Sequence, residues 1–287
     1  MHKPMPIAFK TKNEFQERPN YQANLSCKAD ELDYIVGKYH FSKEDAFQCG
    51  LNHCNQWHQI GFVIATKDGT ETHCGQKCGA NAFGVTWEEV EAVFKKQEEA
   101  MNRRASLQRI QDESNSILKR CADLYTKSEP LVIRVQKIIQ EISTEQTFKN
   151  ELDKTIKLGG QIFGKAPQSE FMSEGNKTIL IATINGGGAM SLSTNILRIL
   201  KFQIQQPLKD LIEKNVQTLS DNEIKEHLSA IRNYESILND AEQFIGQARS
   251  FLEVKNLQKI ELLIEQLPKH ARNQRVRRIA TKICTLN

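Results

Sequence analysis

The clearest chemistry in this chain lies in four cysteines at short, paired spacing. They are Cys49-Gly-Leu-Asn-His53-Cys54 and Cys74-Gly-Gln-Lys-Cys78, a C-x4-C-x19-C-x3-C pattern. Zinc takes four soft or borderline ligands in a tetrahedron, and two short-spaced pairs joined by a hairpin supply them. Five of the seven cysteines fall between residues 27 and 78. The N-terminal residues carry no apolar stretch of signal-peptide length, so the expectation is a cytoplasmic protein with metal-bound cysteines rather than disulfides. Neither pair is C-x-x-C, which makes redox chemistry the weaker reading. Four thiolates, Cys49, Cys54, Cys74 and Cys78, would close the coordination sphere. No H-E-x-x-H or H-x-E pattern offers a base, so the expected zinc is structural, not catalytic.

The elements around these cysteines must bring the pairs together. Ile60-Gly-Phe-Val-Ile-Ala reads as a strand, Lys67-Asp-Gly-Thr70 as a tight turn, and Glu71-Thr-His73 as the return strand. The second pair then sits at a turn. A helix follows, with Thr86-Trp87-Glu88-Glu89 as its capping box. The run from Gly75 to Gly84, preceded by a hairpin and a cysteine pair, resembles a treble-clef or zinc-ribbon-like four-cysteine module. Such modules occur near the N-terminal side of uncharacterised bacterial, phage and plasmid proteins. The resemblance covers about residues 45–97 and implies a structural metal. It departs in the first pair, spaced x4 rather than x2, which leaves Cys54 and His53 as alternatives for the second ligand. Trp57 and Phe62 are expected in the small core of the module, His58 and His73 beside the site rather than in it, and Cys121 and Cys284 as buried small hydrophobes.

The rest of the chain is read for organisation. It has 287 residues, 39% hydrophobic and 26% charged, with only 15 Gly and 7 Pro. That composition excludes a wholly disordered chain and disfavours an all-β barrel or sandwich. Residues 1–26 look weakly ordered, and 27–85 form the zinc module. Residues 86–158 read as long helices, broken at Ser128-Glu129-Pro130 because proline suits a first helical turn. Residues 159–190 are a glycine-containing β insert. Within it Thr178–Ile184 is apolar enough to be a buried strand. No apolar run approaches the ~20 residues of a membrane helix. Residues 191–287 read as a helical bundle or coiled coil. Ser220-Asp-Asn-Glu223 opens that pattern as a capping box. The stripe Ile224, Leu228, Ile231, Tyr234, Leu238, Ala241, Ile245, Ala248 and Leu252 follows in heptad steps. The expected fold class is thus mainly α with a small α+β zinc module.

Charge is unevenly placed. The net charge is +4. After Glu265 there is no acid, and the end of the chain carries six cations: Lys269, Arg272, Arg275, Arg277, Arg278 and Lys282. On a helix Arg275, Arg278 and Lys282 share one face beside an apolar stripe of Val276, Ile279, Ala280 and Ile283. That face could contact the phosphates of DNA or RNA, or could be a solvated helix flank. Asn185-Gly186-Gly187-Gly188 precedes a helix but matches neither a Walker loop nor G-x-G-x-x-G, so a structural turn capped by Ser191 or Ser193 is the better reading. The leading expectation is a non-enzymatic zinc-binding protein associated with nucleic acid, an accessory protein of phage or mobile-element type. The alternatives are a coiled-coil scaffold pairing through the heptad helix with a second copy or a partner, and an enzyme using the Gly186–Gly188 turn.

Overall fold

The computed structural model describes residues 5–165 and 178–286. The chain divides into two compact units, Met1–Ser106 and Leu107–Asn287.

In the first unit, strands β1 (Ile7–Phe9), β2 (Leu32–His40), β5 (Ile60–Thr66) and β6 (Glu71–Gly75) form one sheet in the order β1-β2-β5-β6. β1 runs parallel to β2, and the other pairs are antiparallel. The expected hairpin is β5–β6, with Phe62 opposite Cys74 and Val63 opposite His73. Side chains alternate along a strand, so the hairpin feeds two cores. Ile64 and Cys74, with Phe62 against them, join Leu32, Ile35, Phe83, Trp87 and Phe94. Val63 and Ala65 join Phe9, Phe15, Val36, Tyr39 and Phe41. A second, two-stranded ladder pairs β3 (Phe47–Gln48) with β4 (Trp57–His58).

Three expectations change in this unit. The first concerns residues 1–26, which were read as weakly ordered. Over the described part, from Met5, this segment carries β1 and the short helix α1 (Asn13–Gln16), and it buries Phe15 completely. One well-placed aromatic outweighs a polar composition here, since Phe15 packs against the rings of Phe9, Tyr21, Tyr39, Phe41 and Phe47. Second, Cys78 sits in a helix, α2 (Gln76–Phe83), not at a turn. Third, the long helix α3 (Val85–Ser143) starts before Thr86, and its first amides bond the carbonyl of Gly84 instead of a Thr86 cap. Gly84, at φ 55°, lets α2 end and α3 begin without a loop.

The second unit is helical around one large aliphatic core. α3 continues through Pro130, where a helix boundary was expected. The missing amide costs roughly 3 kcal/mol locally. Buried side chains on both flanks, Leu124, Val132, Val135, Ile138 and Ile142, hold the helix against the core and offset that cost. After α4 (Gln146–Lys157) comes a hairpin of β7 (Gln161–Lys165) and β8 (Thr178–Thr183). The expected buried strand exists but is not buried: Ile179, Leu180 and Ile181 are 42%, 51% and 45% exposed. A two-stranded hairpin has only one partner strand, so its apolar composition does not ensure cover on both faces.

Short helices α5 (Ala189–Leu192) and α6 (Ile196–Ile199) and a π-helical stretch (Leu200–Gln205) lead into α7 (Gln206–Ile212). The heptad stripe splits into α8 (Asp221–Ile231) and α9 (Tyr234–Phe251). Ile224, Ile231, Leu238, Ala241, Ile245, Ala248 and Leu252 all lie in the core of their own unit, so the stripe is bundle packing within the chain. The Ser220 capping box forms as expected. After α10 (Val254–Gln258) and a 3-10 stretch (Lys259–Gln266), the chain ends in α11 (Gln274–Ile283), which buries Val276, Ile279, Ala280 and Ile283. Among the described residues no helix is long and apolar enough to cross a membrane.

Candidate metal centre

The loop from Cys49 to Cys54 is held at its base by the β3–β4 ladder, and the Cys49 amide donates to the Gln56 carbonyl at 2.8 Å. Asn52, His53 and Asn55 adopt φ of 52°, 55° and 54°. Left-handed backbone is costly outside glycine, and three such residues wind the loop into a tight knuckle. Its sulfurs face the start of α2. The Cys49, Cys54 and Cys78 sulfurs all lie within 4.8 Å of one another, with Cys54 and Cys78 at 3.5 Å.

The surroundings of these sulfurs act in opposite directions on their thiolates. The backbone of Leu51 and Gly75 favours the charged form of Cys49, and that of Gln56 favours the charged form of Cys54. The Gln56 amide draws the Cys54 thiol below its ordinary range. Burial works the other way on Cys49, and it pushes the Cys78 thiol up to about 12. Three thiolates so close repel one another, and a cation at their centre removes both the repulsion and the desolvation penalty. Cys78 also stands in the first turn of α2, where free amides favour a negative sulfur. The cluster of three cysteines could therefore hold a metal ion.

The expected ligands are not all brought together. Cys54, not His53, completes the triangle. His53 lies 3.2 Å from the Ser26 hydroxyl through Nε2, in an exposed position. Cys74 stands outside the triangle and is fully buried with Phe62 and Trp87, and burial raises its thiol well above the ordinary range. Cys27 packs against the same core, and burial raises it to about 11. Phe62 is in the core as expected, packed edge-on against Trp87 at 5.5 Å. Trp57, by contrast, is 68% exposed on β4. Cys121 is buried and Cys284 half-buried, each near a main-chain carbonyl of the second unit.

Two histidines beside the centre differ. His73 uses both nitrogens: Nε2 donates to the Gln48 carbonyl at 2.7 Å, and Nδ1 accepts from Tyr21 at 2.7 Å. His58 uses one, Nδ1, 3.1 Å from the Tyr39 hydroxyl, while its buried Nε2 has no hydrogen-bond partner. Burial lowers His58 to about 4 and lowers His73 as well.

The other candidate residues lie in the second unit. Arg275 pairs with Glu145 at 3.0 Å and Lys282 with Glu141 at 2.6 Å. Arg272 and Arg277 both pair with Glu265. The acid-free run thus meets Glu265 just before it and also Glu141 and Glu145, which sequence distance concealed. The glycine turn is built for packing. A Cβ on Gly186 would sit 2.0 Å from the Gln247 carbonyl oxygen, and Gly186 has φ 69°. The helix after it starts at Gly188 rather than at a serine cap, and Ser193 donates back to the Met190 carbonyl. Asn256 pins the same turn: its side chain accepts from the Asn185 amide and donates to the Asn185 and Phe251 carbonyls. Nothing in the local sequence marks Asn256 for that role. No known protein family, curated protein or solved structure matches the chain.

Proposed function

We propose that the chain is a non-enzymatic zinc-binding protein. A structural zinc, held by Cys49, Cys54 and Cys78, organises the first unit, and the protein works in association with nucleic acid. The observation that carries the metal reading is the triangle of three cysteine sulfurs within 4.8 Å of one another. Zinc suits it because thiolate sulfur is its preferred structural ligand. The test is metal content per chain of the purified protein. The reading expects one zinc, lost on Cys78→Ala. Protein that stays folded, reduced and metal-free would refute it.

The nucleic-acid part rests on two surface features. Trp57 is exposed one residue from His58, on the strand that frames the knuckle, and an exposed indole can stack on an unpaired base. Arg278 lies on α11, flanked by Arg277 and Lys282. Because Arg275 and Lys282 already pair with glutamates, electrostatic binding through α11 should be weak. A slope of about −1 in log K against log salt is expected, rather than the nearly threefold larger value of three free cations. Trp87 is buried, so fluorescence quenching by a single-stranded oligonucleotide would report on Trp57. Quenching that is absent at low salt would remove the nucleic-acid part and leave the metal reading intact.

A further inference from the structure

Three thiols leave a structural zinc one ligand short, because such sites are almost always four-coordinate. Several side chains stand near enough to be considered. His53 is turned to Ser26, and His73 has both nitrogens engaged. Cys74 shares the Trp87 core with Cys49, but it is fully buried opposite Phe62 and its sulfur stands outside the triangle. His58 is different. The Tyr39 hydroxyl donates its proton to the Cys74 carbonyl at 3.4 Å. Its oxygen is then left to accept from Nδ1–H of His58, at 3.1 Å. In that arrangement Nε2 carries the bare lone pair. This lone pair is buried and has no partner, an unfavourable arrangement unless something fills it.

The place it can reach is also defined. A Cβ built on Gly75 would lie 3.2 Å from Cδ2 of His58 and 3.6 Å from Sγ of Cys78. The imidazole edge next to Nε2 and the Cys78 sulfur therefore border the same space, which glycine keeps clear. Nε2 is not within the 4.8 Å triangle of sulfurs, so the ring must tip inward over Gly75 to bind.

Resting on the zinc reading above, we propose that Nε2 of His58 is the fourth ligand. The site is then Cys49, Cys54, His58 and Cys78, with Tyr39 orienting the imidazole from behind, as outer hydrogen bonds do for metal-bound histidines. Cys74 is a packing residue.

Cobalt(II) titration of the full chain tests this, since thiolate-to-cobalt charge-transfer absorbance grows with the number of bound sulfurs. The wild type should take up one cobalt with a three-sulfur spectrum. His58→Cys should keep the metal and gain the contribution of one further thiolate. Cys74→Ala should leave the spectrum unchanged. A charge-transfer band that weakens in Cys74→Ala while His58→Gln leaves it intact would overturn the assignment. A wild-type chain that takes up no cobalt would sink the zinc reading itself, and the assignment with it. Should Cys74→Ala fail to fold, nitrogen-15 NMR of the wild type decides. Zinc should shift the Nε2 resonance of His58, and an Nε2 that does not respond to bound zinc overturns the proposal.

Discussion

Among the described residues, the unit over residues 107–286 gathers forty buried residues into one cluster, nearly all aliphatic. The unit over residues 5–106 has two smaller clusters, of nine and seven buried residues, on either side of its sheet. Two of the nine are cysteines, and the seven are mostly aromatic. The second unit has a large aliphatic core to hold its shape. The first has less apolar area to bury, and small cores are where metals supply the shortfall. If the proposed zinc is bound, the contrast teaches where each kind of change will be felt: ligands matter in one unit and volume in the other.

The largest expected effect breaks the first unit alone. Zinc binding to structural sites contributes on the order of 10 kcal/mol of apparent free energy near neutral pH. Cys49→Ser, or strong chelation, should unfold or loosen the first unit, seen as loss of near-ultraviolet dichroism from its aromatic cluster. The second unit should keep its helical signal. Next comes the reverse experiment. Phe244 is fully buried in α9, and Phe244→Ala should cost about 3–5 kcal/mol in the second unit without changing metal content. Denaturant titration beside metal analysis would show both.

Asn256→Ala is a smaller break of the same kind. Its buried amide satisfies main-chain groups of Asn185 and Phe251, and leaving those unpaired should cost about 1–3 kcal/mol. Acid acts on the first unit instead. Burial depresses His73 below its ordinary 6.5, so the unfolded chain takes the proton first. The stability this histidine provides is complete above pH 6.5 and is lost as pH falls through its folded value. Melting of the first unit should therefore drop over that window, and His73→Gln should flatten the drop. The smallest effect belongs to the surface pairs of α11. Arg275→Ala and Lys282→Ala remove exposed ion pairs and should each change stability by about 0–1 kcal/mol.

Signals that live within a few residues were legible. The Asp68-Gly69 turn, the Ser220 capping box and the apolar stripe of α11 all form where their spacing places them. Three of the four expected cysteines converge because the legible β5–β6 hairpin returns the chain to the knuckle at the start of α2. What was hidden depends on distant partners. Pro130 stays helical because the core holds both sides of it. Thr178–Thr183 has a buried composition and an exposed position. Glu141 and Glu145 neutralise cations more than 100 residues away. That His58 Nε2 would be buried without a hydrogen-bond partner is likewise not visible in its own segment.

The most direct measurement is hydrogen exchange followed by mass spectrometry, with and without a zinc chelator. The account predicts that chelation deprotects β5, β6 and α2 while peptides from α8 and α9 keep their protection. Equal protection of β5, β6 and α2 in both conditions would contradict it.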